Sequence, residues 1–254
     1  MKIIKFKKTA KDKYKLYLDN GESLSLFEDV IVNNNLLLTK QIDNELLDKL
    51  NYQNNEQHAY VLAIKYLSIK MRSEKEVSEY LIKKGVEENV INEVINRLIK
   101  DGYINDLAFS KAYVNDALLL SNDGPYKIKN NLIKYGVKQE IVDEVINDID
   151  LNLVNQKLNN LIEKQIRIKK GSFNMIKVKL LNYFYNLGYD KESILKKLNE
   201  CVIKVDYDHL KKEYKKLYNK YFNKYDPDKL KYMIEQKLYA KGYTKEDMDK
   251  IKEN

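Results

Sequence analysis

The chain has 254 residues, of which 44% are apolar and 33% charged, with eight Gly, two Pro and a formal charge of +8. This composition excludes a disordered or loop-rich protein and predicts one or two mainly helical domains with ample core. One cysteine excludes an intramolecular disulfide and a cysteine-based zinc site. The sequence shows neither a leader-like segment nor an apolar run near the roughly 18 residues of a membrane span, so we expect a cytoplasmic protein.

The first residues of the chain predict a small β region. Alternating apolar and polar residues flank Asn20-Gly21, and Asn-Gly between such runs favours a hairpin because both residues tolerate positive φ. Ser25 is spaced to form a capping box that would open a short helix. The next apolar pattern predicts a helix over residues 39–54, and we expect a boundary at the polar stretch 51–57.

A glycine recurs in the same setting four times further along the chain. Gly85, Gly136, Gly188 and Gly242 are separated by 51, 52 and 54 residues. Large apolar residues stand four residues before and six residues after these glycines: Leu81, Leu132, Phe184 and Leu238 before, then Ile91, Val142, Ile194 and Met248 after. Each glycine suits the left-handed position at the end of a helix and precedes another amphipathic helix. The spacing predicts a repeat protein.

We therefore predict a mainly α fold of about four tandem three-helix repeats in an elongated, curved array, with a small N-terminal region that contains a β-hairpin. The hairpin and short helices are predicted to span residues 1–55, and the repeats 56–104, 105–149, 150–204 and 205–254. Ser73 and Glu76 form a capping box for the middle helix of the first repeat. Pro125 suits the first turn of the matching helix in the second repeat. Lys252 stands at an apolar position of the other repeats, as expected of a polar terminal cap.

No sequence motif indicates catalysis. The chain lacks G-x-x-x-x-G-K-[ST], G-x-G-x-x-G, H-E-x-x-H and G-x-S-x-G. Cys201 takes the position that Leu98 and Ile149 take in the first two repeats, so we expect a buried structural thiol. His58 and His209 are far apart in sequence and are expected to be surface polar residues. We expect no enzymatic activity, no metal and no cofactor.

Positive charge is concentrated in the second half of the chain. Residues 157–197 carry 10 basic and 3 acidic residues, and residues 204–254 carry 14 basic and 10 acidic residues, whereas residues 105–156 carry 5 basic and 8 acidic residues. Such clustering indicates a polyanionic partner. The alternative is an ordinary face of solvated lysines.

A spaced set of residues spans the first two predicted repeats: Tyr66-Leu67-Ser68, Arg72-Ser73-Glu74, Glu76, Leu81, Lys84-Gly85, Gly102-Tyr103-Ile104, Asp106, Phe109, Tyr113, Val114, Gly124-Pro125, Ile128, Leu132 and Gly136. This set resembles that of the RecX family, the bacterial modulators of the RecA recombinase. Lys70, Ser110 and Asn131 stand where the family has its usual arginine, alanine and glutamate. The N-terminal hairpin and the fourth repeat resemble the longer members of Gram-positive bacteria.

The resemblance implies a non-enzymatic regulator. RecX proteins bind the RecA–DNA filament along its groove and lower the strand-exchange, ATPase and coprotease activities of RecA, in recombination, DNA repair and the SOS response. We therefore expect a monomer that binds the RecA filament and contacts single-stranded or double-stranded DNA, directly or within the filament. The alternative is an independent DNA-binding helical-repeat protein that acts by competing for DNA.

Ten basic residues are the candidates for contact with RecA or DNA: Arg72, Arg97, Lys127, Lys129, Lys134, Arg167, Lys169, Lys170, Lys177 and Lys179. Residues 167–170, next to Gly171-Ser172, are the strongest candidates for a phosphate contact, since a helix junction offers side chains and backbone N–H groups together. The alternative for each residue is a solvated charge, and for Arg72 an ion pair with Glu76. The tyrosines could stack on bases, although most stand at core spacing.

Overall fold

The computed structural model describes residues 1–201 and 205–252. Over these ranges the chain forms three β-strands followed by fourteen helices, as expected for a mainly α fold with a small N-terminal β region. No described helix combines the length and the apolar content that a bilayer crossing requires.

The N-terminal strands form one antiparallel sheet in the order β1 (Ile3–Ala10), β2 (Lys13–Leu18) and β3 (Ser23–Phe27). The predicted hairpin is confirmed, because β2 pairs with β3 across the turn that contains Asn20 and Gly21, and Gly21 has a φ of +87°.

The first helix, α1 (Glu28–Asn33), begins without the predicted cap. Ser25 lies within β3 and is paired with Lys15, and the N-cap residue Phe27 makes no side-chain capping bond. The amide of Glu28 instead donates to the carbonyl of Asp12 at 2.9 Å. The capping box predicted at Ser25 is therefore wrong, because the strand continues up to the first residue of the helix.

A short helix, α2 (Leu36–Thr39), precedes the long helix α3 (Asn44–Leu67). The predicted helix over residues 39–54 is wrong at both ends: Lys40 is left-handed with a φ of +49°, Asp43 caps α3, and α3 continues for 24 residues. The polar stretch 51–57 lies inside α3, where Asn54 Oδ1 accepts from the amide of Phe27 at 3.0 Å. The polar side chains of this stretch thus help to hold the N-terminal region against α3, and the division at residue 55 stays a prediction.

The remaining helices form the four predicted three-helix repeats. The first comprises α3, α4 (Glu74–Lys83) and α5 (Glu88–Lys100), and the second α6 (Asp106–Leu120), α7 (Pro125–Lys134) and α8 (Gln139–Asn147). The third comprises α9 (Leu151–Ile168), α10 (Phe173–Asn186) and α11 (Lys191–Glu200), and the fourth α12 (Tyr207–Tyr221), α13 (Pro227–Ala240) and α14 (Lys245–Lys252). The capping box of Ser73 and Glu76 is present, and α7 begins at Pro125. The side chain of Lys252 lies outside the described residues.

The chain divides into two compact units, Met1–Ala112 with Leu132–Ile141, and Tyr113–Asn131 with the described residues from Val142 onward. The first unit contains one core beneath the sheet, which includes Leu16, Leu26 and Leu50. A second core of this unit lies among the helices of the first repeat. In the second unit, the fourth repeat has its own core around Leu210, Ile234 and Leu238, together with Leu230, Tyr243 and Met248.

Within these units, the start of each middle helix contacts the glycine turn of the following repeat. The hydroxyl of Ser73, before α4, donates to the carbonyl of Tyr135 at 2.8 Å. The amide of Tyr126, in α7, donates to the carbonyl of Gly188 at 3.0 Å. The hydroxyl of Ser172, before α10, donates to the carbonyl of Lys241 at 2.6 Å. The same junction therefore recurs three times in the chain.

Gly188 shows why the recurring residue is glycine. Its φ is +85°, and a Cβ built on it would lie 2.3 Å from the backbone nitrogen of Lys127. Gly136, with a φ of +79°, is in the same situation against Lys75, whose Cβ would lie 2.7 Å away. Gly85 has a φ of +78° but no neighbour within 4 Å of a Cβ position. The glycine of the first repeat thus serves the turn alone, whereas the later ones also permit close approach of the preceding repeat.

Candidate interaction surface

Arg72 is held inside the first repeat. Its Nη1 forms an ion pair with Glu76 at 3.2 Å, and its side chain is only 14% exposed. The guanidinium carbon lies 4.0 Å from the centre of the Tyr66 ring, which in turn stacks on Tyr80 at 4.0 Å. Arg72 thus joins the end of α3 to α4 through an ion pair and a cation–π contact. The alternative that the sequence left open for Arg72, a pair with Glu76, is the arrangement found.

Residues around Arg72 fix the start of α4. The Ser73 hydroxyl accepts from the amide of Glu76 at 3.2 Å, and the Glu76 carboxylate accepts from the amide of Ser73 at 3.2 Å. Asp106 accepts from the amide of Glu74 at 2.9 Å. Burial raises the pKa of Asp106, against smaller opposing effects of that hydrogen bond and of Lys138. The charged residues of this motif therefore carry structural contacts.

Arg97 is also engaged within the repeat. Its guanidinium lies 3.9 Å from the centre of the Tyr60 ring and donates to Gln57 Oε1 at 3.0 Å. Asp101 lies 3.8 Å from Arg97 Nε and accepts from the Tyr60 hydroxyl at 3.0 Å. Burial, followed by the hydrogen bond to Asp101, raises the pKa of Tyr60. Arg97 links α3 to α5 while part of its side chain stays accessible.

Two of the three candidate lysines in the second repeat form close ion pairs. Lys127 lies 2.8 Å from Asp123, and Lys129 lies 2.7 Å from Asp143. Lys134 is exposed, and over residues 1–201 and 205–252 no ion pair involves its side chain. Only Lys134 of these three presents an uncompensated charge.

The third repeat offers the most accessible cations among the candidates. Arg167 is 79% exposed, and its partner Glu163 is 3.7 Å away. Lys169 and Lys179 are exposed, and Lys170 has only a marginal contact of 4.0 Å with Asp206. Such exposed pairs are weak in water, so these cations remain available to phosphates.

The backbone beside these cations is less open than the sequence suggests. Ser172 is fully buried, and its hydroxyl accepts from the amide of Met175 at 3.2 Å while donating to Lys241. One of the amides at the start of α10 is therefore already satisfied. Lys177 is engaged with Asn199 and lies 5.9 Å from the Phe173 ring centre. The side chains of residues 167–170, rather than the helix end, form the accessible part of this candidate site.

The remaining sequence expectations have mixed outcomes. Cys201 is partly buried at the end of α11, less completely than Leu98, because it is the C-cap residue rather than part of the helix. Burial raises the pKa of its thiol.

The two histidines differ in their exposure. His58 is exposed, as expected, but His209 is partly buried and its Nδ1 lies 2.8 Å from the hydroxyl of Tyr243. The side-chain amide of Asn131 donates to the Tyr113 hydroxyl at 2.9 Å.

One surface feature falls outside the ten candidates. The fourth repeat carries two exposed aromatic residues among exposed lysines, Tyr218 on α12 and Phe222 at the C-cap of that helix. Their four-residue spacing places both rings on one face of the helix. That spacing, read together with the surrounding lysines, is the sequence signal that could have identified them.

The comparisons with known proteins all point to one family. The profile described as the first three-helix domain of RecX matches residues 59–98. The Regulatory protein RecX of Streptococcus pneumoniae serotype 19F (strain G54) is 34% identical over 191 residues, which cover 74% of this chain and 72% of that protein. The Regulatory protein RecX of Bacillus cytotoxicus is 32% identical over 196 residues, which cover 75% and 73% respectively.

Two solved structures share the fold. The crystal structure of RecX from Lactobacillus salivarius matches with a TM-score of 0.54 at 29% identity, over 58% of this chain and 97% of that one. Another crystal structure of a regulatory protein RecX matches with a TM-score of 0.69 at 20% identity, over 79% of this chain and 99% of that one. At 20% identity the second match bears on the fold alone, and it extends the shared helical architecture over most of the chain.

Proposed function

The chain belongs to the RecX family of regulatory proteins, and we propose that it binds the RecA–DNA filament and lowers the recombinase, ATPase and coprotease activities of RecA. The observation that carries this proposal is the 34% identity to a protein named Regulatory protein RecX over 72% of its length. RecA as the target, and action as a non-enzymatic monomer in recombination, DNA repair and the SOS response, are our extension of that regulatory role.

The repeat architecture supports binding to an extended partner. Stacked repeats place similar faces side by side, so many weak contacts can add up along a filament. The recurring junctions at Ser73, Tyr126 and Ser172 tie neighbouring repeats together within each unit. Arg72 and Arg97 are engaged in holding the first repeat together, so we propose that they support this surface and that more exposed residues contact the partner.

The exposed cations of the third repeat are the proposed contacts with DNA phosphates. Arg167, Lys169 and Lys170 lie within four consecutive residues of the chain and carry at most weak ion pairs. Lysine and arginine bind nucleic acid phosphates by releasing condensed counterions, so the affinity they provide falls steeply with salt. This patch would act on DNA inside the filament or on DNA alone.

A titration of RecA ATPase on single-stranded DNA with this protein tests the proposal. We expect inhibition at protein concentrations below the dissociation constant for the DNA alone, since the filament would be the target. No inhibition at a stoichiometric excess over RecA would contradict the proposed function. The dissociation constant for the DNA is measured in the same buffer at two salt concentrations.

The second candidate function is competition for DNA, which the accessible cations of the third repeat favour. In that case the ATPase would fall only when the protein coats the DNA. Replacing Arg167, Lys169 and Lys170 with Ala should then lower DNA affinity and reduce the salt slope by about two for single strands, roughly 0.7 for each phosphate that is no longer neutralised. A matched control removes three exposed lysines of the N-terminal region, Lys5, Lys7 and Lys11, and should leave the slope nearly unchanged.

A further inference from the structure

An aromatic groove lies between α12 and α13 in the fourth repeat. Its volume is about 300 Å³, and its lining consists of Tyr214, Tyr218, Phe222, Tyr225, Pro227, Leu230, Lys231 and Ile234. Four of these eight residues are aromatic. The groove therefore offers flat ring surfaces in an otherwise polar, lysine-rich region.

Tyr218 and Phe222 contribute little to the core of the repeat. The core of α12 uses Leu210, with Tyr214, Leu217 and Tyr221 packed against it. Tyr218 is 44% exposed and Phe222 is 49% exposed. Their rings stack nearly parallel, with centres 6.0 Å apart and planes inclined by 9°. An ordered pair of rings open to water is a surface suited to a flat apolar partner.

The segment that forms the groove is rich in exposed positive charge, and Lys231 lies in the groove lining itself. Eight lysines and three acidic residues occur between residues 211 and 231, and all eight lysines are exposed. Over the described parts of the chain, Lys216 is the one lysine of this set that forms an ion pair, with Glu213 at 3.2 Å. The partner of this surface should therefore combine negative charge with flat rings.

We propose that this groove binds single-stranded nucleic acid, with bases stacked on Tyr218 and Phe222 and phosphates near Lys231, which lines the groove. Aromatic side chains beside a basic groove bind unpaired strands with little sequence preference, because every base has a stacking face. A duplex keeps its bases stacked on one another, so it cannot offer them to these rings. The inference depends on the proposed function only in the assumption that the protein acts where single-stranded DNA is present.

An extended protein segment is the competing occupant of an aromatic groove that contains a proline. Such a segment would use the rings but would leave seven exposed lysines without counter-charges. A nucleic acid strand supplies bases that stack on the aromatic rings and a phosphate for each nucleotide. Charge complementarity therefore favours the nucleic acid strand.

The test compares two fluorescent oligomers of about 20 nucleotides that carry the same phosphates, an oligothymidylate and an abasic strand, by fluorescence anisotropy with the full chain. We expect tighter binding of the oligothymidylate. The double variant Tyr218→Ala and Phe222→Ala should lose roughly five- to 150-fold in affinity for each base that no longer stacks, and only for the strand with bases. Tyr218→Phe keeps the ring and should bind like the wild type.

A matched control replaces Tyr185, which is 61% exposed on α10, with Ala and should not change the affinity. Circular dichroism verifies that the double variant is folded. Equal affinity of the wild type for the two oligomers, or an unchanged affinity in the folded double variant, would overturn the inference and leave the groove to a protein partner.

A parallel RecA ATPase titration separates this inference from the proposed function. Loss of base-dependent binding in the double variant, with inhibition by the wild type intact, supports both. Base-dependent binding by a wild-type protein that never inhibits RecA would support the groove and contradict the filament proposal. Inhibition by a wild type that shows no base preference would overturn the groove alone.

Discussion

Replacing Gly188 with alanine should disrupt the junction between the second and third repeats. The φ of Gly188 is +85°, and an added Cβ would lie 2.3 Å from the backbone nitrogen of Lys127. Two hydrogen bonds cross the same junction, from the amide of Gly124 to Leu187 at 2.7 Å and from the amide of Tyr126 to Gly188 at 3.0 Å. The methyl group has no space unless the start of α7 moves away.

The expected loss of stability follows from these contacts. A left-handed conformation costs a non-glycine residue about 1–2 kcal/mol. Forcing a methyl group against a backbone atom costs about 1–3 kcal/mol, and each weakened hydrogen bond contributes about 0.5–1.5 kcal/mol. Together, Gly188→Ala should lower the free energy of unfolding by about 3–8 kcal/mol.

Gly85→Ala is the matched control, because Gly85 has a φ of +78° but no neighbour within 4 Å of a Cβ position. It should lose only the conformational part, about 1–2 kcal/mol. Urea unfolding followed by circular dichroism measures both losses. Hydrogen exchange of the Tyr126 amide gives a local reading and should be faster in Gly188→Ala. Equal losses in the two variants, with unchanged exchange at Tyr126, would refute the close-approach argument.

Three further changes test other parts of the structure. Arg72→Ala should lower the free energy of unfolding by about 1–3 kcal/mol, because it removes the ion pair with Glu76 and the stacking on Tyr66. Arg72→Lys should not restore the stacking, so the lysine variant should have a lower thermal unfolding temperature than the wild type. Ser172→Ala removes the cap of α10 and the hydrogen bond to the carbonyl of Lys241, and should lower the free energy of unfolding by about 1–3 kcal/mol. Ser78→Ala is its control, since it removes only a hydrogen bond to the carbonyl of Glu74. Equal losses of unfolding free energy in urea for the two variants would contradict the role of Ser172. The hydrogen bond from Lys241 lowers the pKa of Glu213 from 4.5. The ionised carboxylate therefore stabilises the fold above pH 4.5, and this contribution is lost as the pH falls through the lowered pKa. Glu213→Gln should be less stable than the wild type at pH 7 and nearly equal to it well below pH 4.5, and a difference in stability that persists in acid would contradict this prediction.

Much of the fold follows from local sequence signals. Asn20-Gly21 indicates the hairpin, Ser73 with Glu76 indicates the start of α4, and the glycine period indicates the repeats. The first two signals depend on backbone geometry within a few residues, which the local sequence determines directly, and the glycine period repeats a local signal for the end of a helix. The contacts that join one repeat to the next are not predictable in the same way. The bond from Ser73 to Tyr135 spans 62 residues, and no local pattern specifies it.

The wrong predictions have a common cause in tertiary contacts. The polar stretch 51–57 resembles a boundary because its residues are poor core formers, but Gln53 and Asn54 form hydrogen bonds with the N-terminal region from within α3. Ser25 has the spacing of a cap, but pairing with β2 extends the strand past it. In both places contacts distant in sequence outweigh a local preference.

The candidate site is only partly accessible to sequence reasoning. Basic residues are easy to find, but the sequence does not show which of them are already paired. Arg72 and Arg97 each stack on a tyrosine and form ion pairs, whereas Arg167 and Lys169 remain open to solvent. The spacing of Tyr218 and Phe222 suggests a shared helix face, but the stacking of their rings, outside the core of the repeat, is known only from the structure. These assignments as binding residues stay proposals.

The RecA ATPase on single-stranded DNA, titrated with this protein while its affinity for the same DNA is measured in parallel, tests the central proposal most directly. We expect inhibition at concentrations well below the dissociation constant for DNA, because the filament itself is the proposed target. Inhibition that appears only once the DNA is coated would contradict filament binding and identify competition for DNA as the mechanism.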